Sequence, residues 1–408
     1  MAAVRPRTAP ATRAVHPPDP PPVLQRSPTP PLHRATSYLF ESMAESLDLR
    51  AGRRSGYVYG RIDNPTADAF ATAVAEMEAV NVAGPVEGQA FNSGMAAITA
   101  VMLAVTGAGA HVVAPRDAYG GTYGLLDGVL SRFGLAVDFV DPTDPEAVRA
   151  AIRPETRVVF AETLANPTLA VPELPVLAEL AHAAGALLVV DSTLATPVLC
   201  RPLEHGADLV VHSATKYFGG HSDAVGGVVV GRPELIREVR AARVATGGVL
   251  APDPAYLLRR GLSTLPLRMA RQCATAATIA DAMTRHDAVL RVDYPGLGTH
   301  PSHDRASRLF DDERFGAIVT LTLRGGKEAG SVFLDSLGLV AIGTSLGGVS
   351  TVAQHVASTT HRQLDPQALA EAGIGAGTVR LSIGLEDPAD LVEDLHRALW
   401  AIRGFWRL

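Results

Sequence analysis

The chain has 408 residues, 19% of them charged, with a formal net charge of −6. That length allows two domains and a sizeable core, and the charge balance leaves no electrostatic footprint for nucleic acid or an anionic membrane surface. Cys200 and Cys273 are the two cysteines; they are too few for a disulfide framework and lack metal-ligand spacing, so no metal is expected and a reducing cytoplasm is the expected compartment.

Residues 1–31 are proline-rich, with PPDPPP and SPTPP, and such a segment is expected to be disordered because it cannot pack a core. No apolar stretch of a secretory signal follows the N-terminal arginines. Residues 32–65 read as a short irregular arm, and Thr66 to Ala83 as a helix. Gln89 to Ala110 is uncharged and long enough to span a bilayer. It holds Asn92, Ser93, three glycines and two threonines, and a strand-like HVVAP follows. A buried helix of an α/β domain is therefore the expectation.

From there strand and helix signals alternate. HVVAP (111–115) reads as a strand and Gly120 to Phe133 as a helix. AVDFVD and TRVVFAE read as strands, 173–184 as a helix, and ALLVVDS, ADLVVHS and AVGGVVVG as strands. This alternation implies an α/β fold with a mostly parallel sheet. The character changes near residue 259. A long helix from about Ala255 to His286 leads to a smaller α/β domain with strands AIVTLTLRG, LVAIGTS and TVRLSIG. A last helix runs from Pro388 to Arg403. The expected division is 66–258 for the large domain and 259–408 for the small one.

In such sheets ligands lie beyond the carboxyl ends of the strands. Glu162, Asp191, Ser213 and Lys216 follow strands there and are expected to converge. Lys216 stands in HSATKYFGGHSD. An amine desolvated in a crevice has a lowered pKa and can form a Schiff base with an aldehyde. Ser213 and Thr215 could donate to a phosphate. Asp191 ends a buried strand, where a carboxylate needs a partner, and a protonated pyridine nitrogen is one. Ser93, Gly94 and Met95 stand at a helix start, where free N–H groups bind phosphate. Tyr119, in AYGGT, could stack on a planar cofactor. His212 and His221 read as structural residues, Cys200 as a small buried hydrophobe, and HDRASRLF as helix surface.

Together these segments resemble the Cys/Met-metabolism family of pyridoxal-phosphate enzymes. DLVVHSATKYFGGHSDAVGG is the most specific piece. YGRIDNPT, NSGMAAI, AETLANPTL, DSTLATPVLCRPLEHGAD, TSLGG and VRLSIGLED follow the family's order. The resemblance implies the fold-type-I architecture of the PLP-dependent transferases and pyridoxal 5′-phosphate as cofactor. It implies that Lys216 holds the cofactor aldehyde and shuttles protons, that Asp191 meets the ring nitrogen, and that Tyr119 stacks on the ring. Gly94, Met95, Thr193, Ser213 and Thr215 would complete the cofactor cradle, with Asn166 at the ring hydroxyl. Arg380 would clamp a substrate α-carboxylate near Ser345. Tyr59 and Arg61 would reach the phosphate of a neighbouring subunit, which makes the active unit a homo-oligomer, a dimer of dimers in this family.

The implied activity is carbon–sulfur lyase chemistry on a small amino acid by γ-elimination, as in cystathionine γ-lyases. γ-Replacement on an O-activated homoserine and methionine γ-lyase chemistry are the alternatives. β-Elimination, transamination and a non-catalytic regulator are weaker rivals. The chain departs from the family at Thr344, where the cystathionine enzymes usually have Glu, and at Gly121, where methionine γ-lyases usually have Cys. Ser192, Ser350 and Val356 replace the commoner Asn, Glu and Pro. Thr344 in particular leaves a bulky zwitterionic thioether less secure as substrate.

Overall fold

The structure is a computed structural model that describes residues 15, 27–359, 367, 369 and 373–405. The chain divides into two units between Pro31 and Leu32. Most of the proline-rich head, and with it the expectation of disorder, lies outside the described residues.

Among the described residues one sheet has seven strands: β1 (Glu87–Phe91), β2 (His111–Pro115), β3 (Ala136–Val140), β4 (Thr156–Glu162), β5 (Leu187–Asp191), β6 (Leu209–His212) and β7 (Gly227–Gly231). Their order is β1-β7-β6-β5-β4-β2-β3. The block from β3 to β6 is parallel, and β7 runs antiparallel to both β6 and β1. Two reversals leave β1 parallel to β6, so the carboxyl ends of β1, β2, β4, β5 and β6 share one sheet edge. Val158 and Phe160 pack into the apolar cluster on one face, Val159 and Ala161 into that on the other. A strand buried on both faces reads as a continuous apolar run, which is why these strands were visible in the sequence.

A second sheet has the order β10-β11-β12-β9-β8, with β8 (Val289–Asp293), β9 (Ile318–Leu323), β10 (Ala341–Ile342), β11 (Val352–His355) and β12 (Thr378–Ser382). It packs on its own cluster, which includes Val319, Phe333 and Leu391.

Several boundaries differ from the sequence reading. The uncharged segment 89–110 begins in strand β1 and becomes a helix only at Gly94–Val105. Ser93 makes the break, since its hydroxyl accepts the N–H of Ala96 as an N-cap. No helix among the described residues is long and apolar enough to cross a membrane. The helix expected over 66–83 runs from Pro65 to Glu78 and is capped by Asn64. The long helix expected over 255–286 is two helices, Pro252–Leu262 and Leu265–Met283. Pro266 has no N–H to donate to the Leu262 carbonyl four residues back, so it ends the first helix and sits in the first turn of the second. The segment 120–133 is helical but irregular, α to Tyr123, π over Gly124–Val129 and 3₁₀ over Leu130–Phe133. Strand LVAIGTS shrinks to Ala341–Ile342.

Candidate active site

The shared sheet edge opens into a cavity of about 420 Å³. Its lining includes Gly94, Met95, Tyr119, Asn166, Asp191, Thr193, Ser213, Thr215, Lys216, Thr344, Ser345 and Arg380. The structure thus brings together twelve residues expected from the sequence, drawn from both sheets. Tyr59 and Arg61 do not line it. Tyr59 is 40% exposed, and the Arg61 guanidinium lies over the Tyr59 ring and donates to the carbonyl of Val244 at 2.8 Å.

Lys216 lies just past the end of β6. Its Nζ donates to Ser345 Oγ at 2.8 Å. Burial, and the Arg380 charge beside it, push the amine below the usual lysine pKa. Ser345 has φ +78°, a left-handed conformation that is costly for a residue with a Cβ. It is held from two sides, because its carbonyl also accepts from Arg380 Nη2 at 2.6 Å.

The cavity floor carries two carboxyl groups. Asp191 and Glu162 are register partners on parallel strands β5 and β4, so they project from the same sheet face. Burial raises both pKa values, and Asp191 raises that of Glu162 further. Asp191 Oδ1 accepts the N–H of Thr193 at 2.9 Å. Glu162 Oε1 accepts the N–H of Tyr119 at 2.7 Å and so ties down the turn that carries that ring. Glu162 was legible as a polar strand end, but its tie to Tyr119 was not, because no local pattern encodes it.

Arg380, on β12, is 4% exposed. Its Nη1 donates to Asn166 Oδ1 at 3.1 Å and its Nη2 to Gln354 Oε1 at 2.9 Å. Burial lowers its pKa to about 10, which still leaves it charged at neutral pH. Its buried Nε has no partner among the described residues. Gln354 also lines the cavity and was missed in the sequence, where β11 carries no clear strand signal.

These residues fit pyridoxal phosphate. The first-turn N–H groups of Gly94 and Met95 have no intrahelical acceptor. A Cβ on Gly94 would lie 2.7 Å from Ser213 Cβ, so glycine is what lets the helix start approach the β6 end. Thr193 Oγ1 accepts the N–H of Ser213 at 2.8 Å, which keeps its proton for another acceptor. The Thr215 hydroxyl is paired with the backbone of Gly226, so its part in the cradle is shared with that contact. Asp191 supplies the carboxylate that accepts from a protonated pyridine nitrogen on a desolvated floor. The expected structural histidines stay off the lining. His212 hydrogen-bonds Glu78 at 2.7 Å, and His221 bonds the carbonyl of Gly219. Cys200 is buried.

Comparison with known proteins agrees with this geometry. The family model for Cys/Met metabolism PLP-dependent enzymes matches residues 11–400. The chain is similar to an L-methionine gamma-lyase of Fusobacterium nucleatum subsp. nucleatum, 41% identical over 90% of this chain and 92% of that one. It is similar to a cystathionine gamma-lyase of Bacillus subtilis, 43% identical over 86% of this chain and 90% of that one. The crystal structure of cystathionine gamma synthase from Xanthomonas oryzae pv. oryzae, in complex with aminoacrylate and cysteine, matches with a TM-score of 0.86 at 37% identity. That match covers 92% of this chain and 94% of the other.

Proposed function

Because the chain belongs to the Cys/Met-metabolism family of PLP-dependent enzymes, we propose that it cleaves the carbon–sulfur bond of a sulfur amino acid by γ-elimination. The observation that carries this is the meeting of Lys216, Asp191 and Arg380 in one cavity. Bound pyridoxal phosphate supplies the electron sink for charge that develops on the substrate. Gly94, Met95, Ser213 and Thr215 hold its phosphate end, Asn166 its ring hydroxyl and Asp191, with Thr193 beside it, its ring nitrogen. Arg380 clamps the α-carboxylate, because a planar guanidinium matches that group with two parallel bonds. The Lys216 amine, neutral more readily than an exposed lysine, takes the proton from Cα and serves the second proton transfer at Cβ. Loss of the γ-thiolate then leads, with one water consumed, to a thiol, a 2-oxo acid and ammonia. Tyr119 is placed in the same cavity to give or take a proton.

γ-Replacement on an O-activated homoserine is the second reading. It is favoured by Thr344, an uncharged residue on the cavity wall that offers no carboxylate to a distal ammonium group. We further infer that residues 66–258 are the cofactor domain, 259–408 the small domain and 32–65 an arm that brings Tyr59 and Arg61 to a second copy of the chain in a dimer of dimers. A cytoplasmic setting suits the two free cysteines.

The test is a product assay on the purified holoenzyme. L-cystathionine, L-methionine, L-homocysteine, L-cysteine and O-acyl-homoserines are offered with and without an added thiol. Thiol, 2-oxo acid and ammonia released together from a thioether are the expected result. Turnover of a homoserine ester only with added thiol would move the chain to the replacement reading, and 2-oxo acid formed with no thiol or ammonia would overturn both.

A further inference from the structure

The carboxylate clamp is unusual in what surrounds it. Arg380 is buried, yet its hydrogen-bond partners are an amide, a backbone carbonyl and a second amide: Asn166, Ser345 and Gln354. Among the described residues no carboxylate lies within ion-pair distance of it, whereas Arg243, equally buried, is paired with Asp63. A buried guanidinium held by neutral acceptors keeps its charge for an incoming anion, and the acceptors fix where its fork points.

Gln354 is the member of this set that the fold places most firmly. It is the register partner of Arg380 across antiparallel strands β11 and β12, so the two side chains stand on the same sheet face. Its amide is locked at both ends. The Nε2 group donates to Thr359 Oγ1 at 2.8 Å, and that hydroxyl donates in turn to the carbonyl of His355 at 2.6 Å. With its only proton spent on His355, Thr359 can only accept from Gln354. The amide oxygen must therefore face Arg380.

We infer that Gln354 is a positioning residue for substrate recognition: an uncharged acceptor, oriented by Thr359, that aims the Arg380 fork while leaving the substrate carboxylate as its sole counter-charge. This rests on the reading of Arg380 as the carboxylate clamp. Glutamate at 354 would have the same shape and would neutralise the clamp from within. Alanine would remove one of the acceptors and leave the charge free.

The experiment follows the cofactor absorbance of the holoenzyme as L-alanine, which has no γ-leaving group, is titrated in. L-Alaninamide, which lacks the carboxylate, is titrated in parallel. The wild type is expected to bind alanine about tenfold or more tighter than the amide, since a charge-assisted bidentate contact is lost. Gln354→Glu is expected to abolish that preference while the cofactor band stays. Gln354→Ala and Thr359→Val should weaken it only partly. In steady-state assays of whichever substrate turns over, Gln354→Glu should raise KM by about tenfold, with kcat within roughly threefold. A purely structural role predicts the reverse order, with the isosteric glutamate milder than alanine. If the wild type shows no preference for alanine, the clamp reading itself fails. If the wild type shows it and Gln354→Glu keeps it, the clamp stands and the inference about Gln354 is overturned.

Discussion

At the scale of single residues, the chemistry of the site comes from what each group is denied. Lys216 is half-buried and stands beside the Arg380 charge rather than a carboxylate, so its amine is easier to deprotonate. Asp191 is denied solvent on the cavity floor, so a cationic ring partner suits it. Gly94 is denied a side chain because Ser213 occupies the space. That last point gives a sharp test. Gly94→Ala should weaken pyridoxal phosphate binding by about tenfold or more, since overpacking there must push the helix start or Ser213 out of place. Gly107, where a Cβ would meet nothing within 4 Å, is the control, and Gly107→Ala should bind like the wild type. Titration of the apoenzyme with cofactor reads both. Equal affinity for Gly94→Ala would mean that the close approach does not shape the cradle.

The sequence exposed residues of this kind unevenly. Lys216, Asp191, Gly94 and Arg380 stand in compact motifs directly after or within strands, and all line the cavity as expected. Gln354 and the Glu162–Tyr119 tie were hidden. Each depends on a partner that is distant in the chain, and a one-dimensional pattern does not carry such pairings.

At the scale of elements, the parallel strands were legible because burial on both faces gives unbroken apolar runs. Elements whose boundaries depend on a cap or a proline were not. Ser93 divides β1 from the following helix, and Pro266 divides one expected helix into two. β11 is four residues long, too short for alternation to stand out. The arm is the element that carries the largest claim. Tyr59 and Arg61 do not line the cavity of their own chain, and the proposal that they serve a second copy has a direct test. Lys216→Ala and Arg61→Ala chains should each be nearly inactive alone. Mixed after gentle dissociation, they should recover roughly a quarter of wild-type activity, because half of the pairs formed at random hold one intact site of two. No recovery from a mixture proven to contain hybrid pairs would place Arg61 in the service of its own chain.

At the scale of the whole molecule, one sheet edge and one wall from the second sheet make the site. The first sheet delivers Lys216, Asp191, Tyr119 and Gly94 to its carboxyl edge, as the rule for parallel sheets anticipates. The second sheet, through β12 and the turn before β11, delivers Arg380 and Ser345. The contact between Lys216 Nζ and Ser345 Oγ joins the two. The α/β class and the existence of a second sheet were legible from alternating signals, but strand order was not, since it depends on pairings made across the fold.

The central claim is that Lys216 holds the cofactor on which the chemistry depends. The most direct measurement is to reduce the holoenzyme with borohydride, digest it and locate the pyridoxyl group by mass spectrometry. The account predicts a single stoichiometric modification on Lys216, absent from the Lys216→Ala chain. A pyridoxyl group on another lysine, or none on a protein that retains its cofactor absorbance, would contradict it.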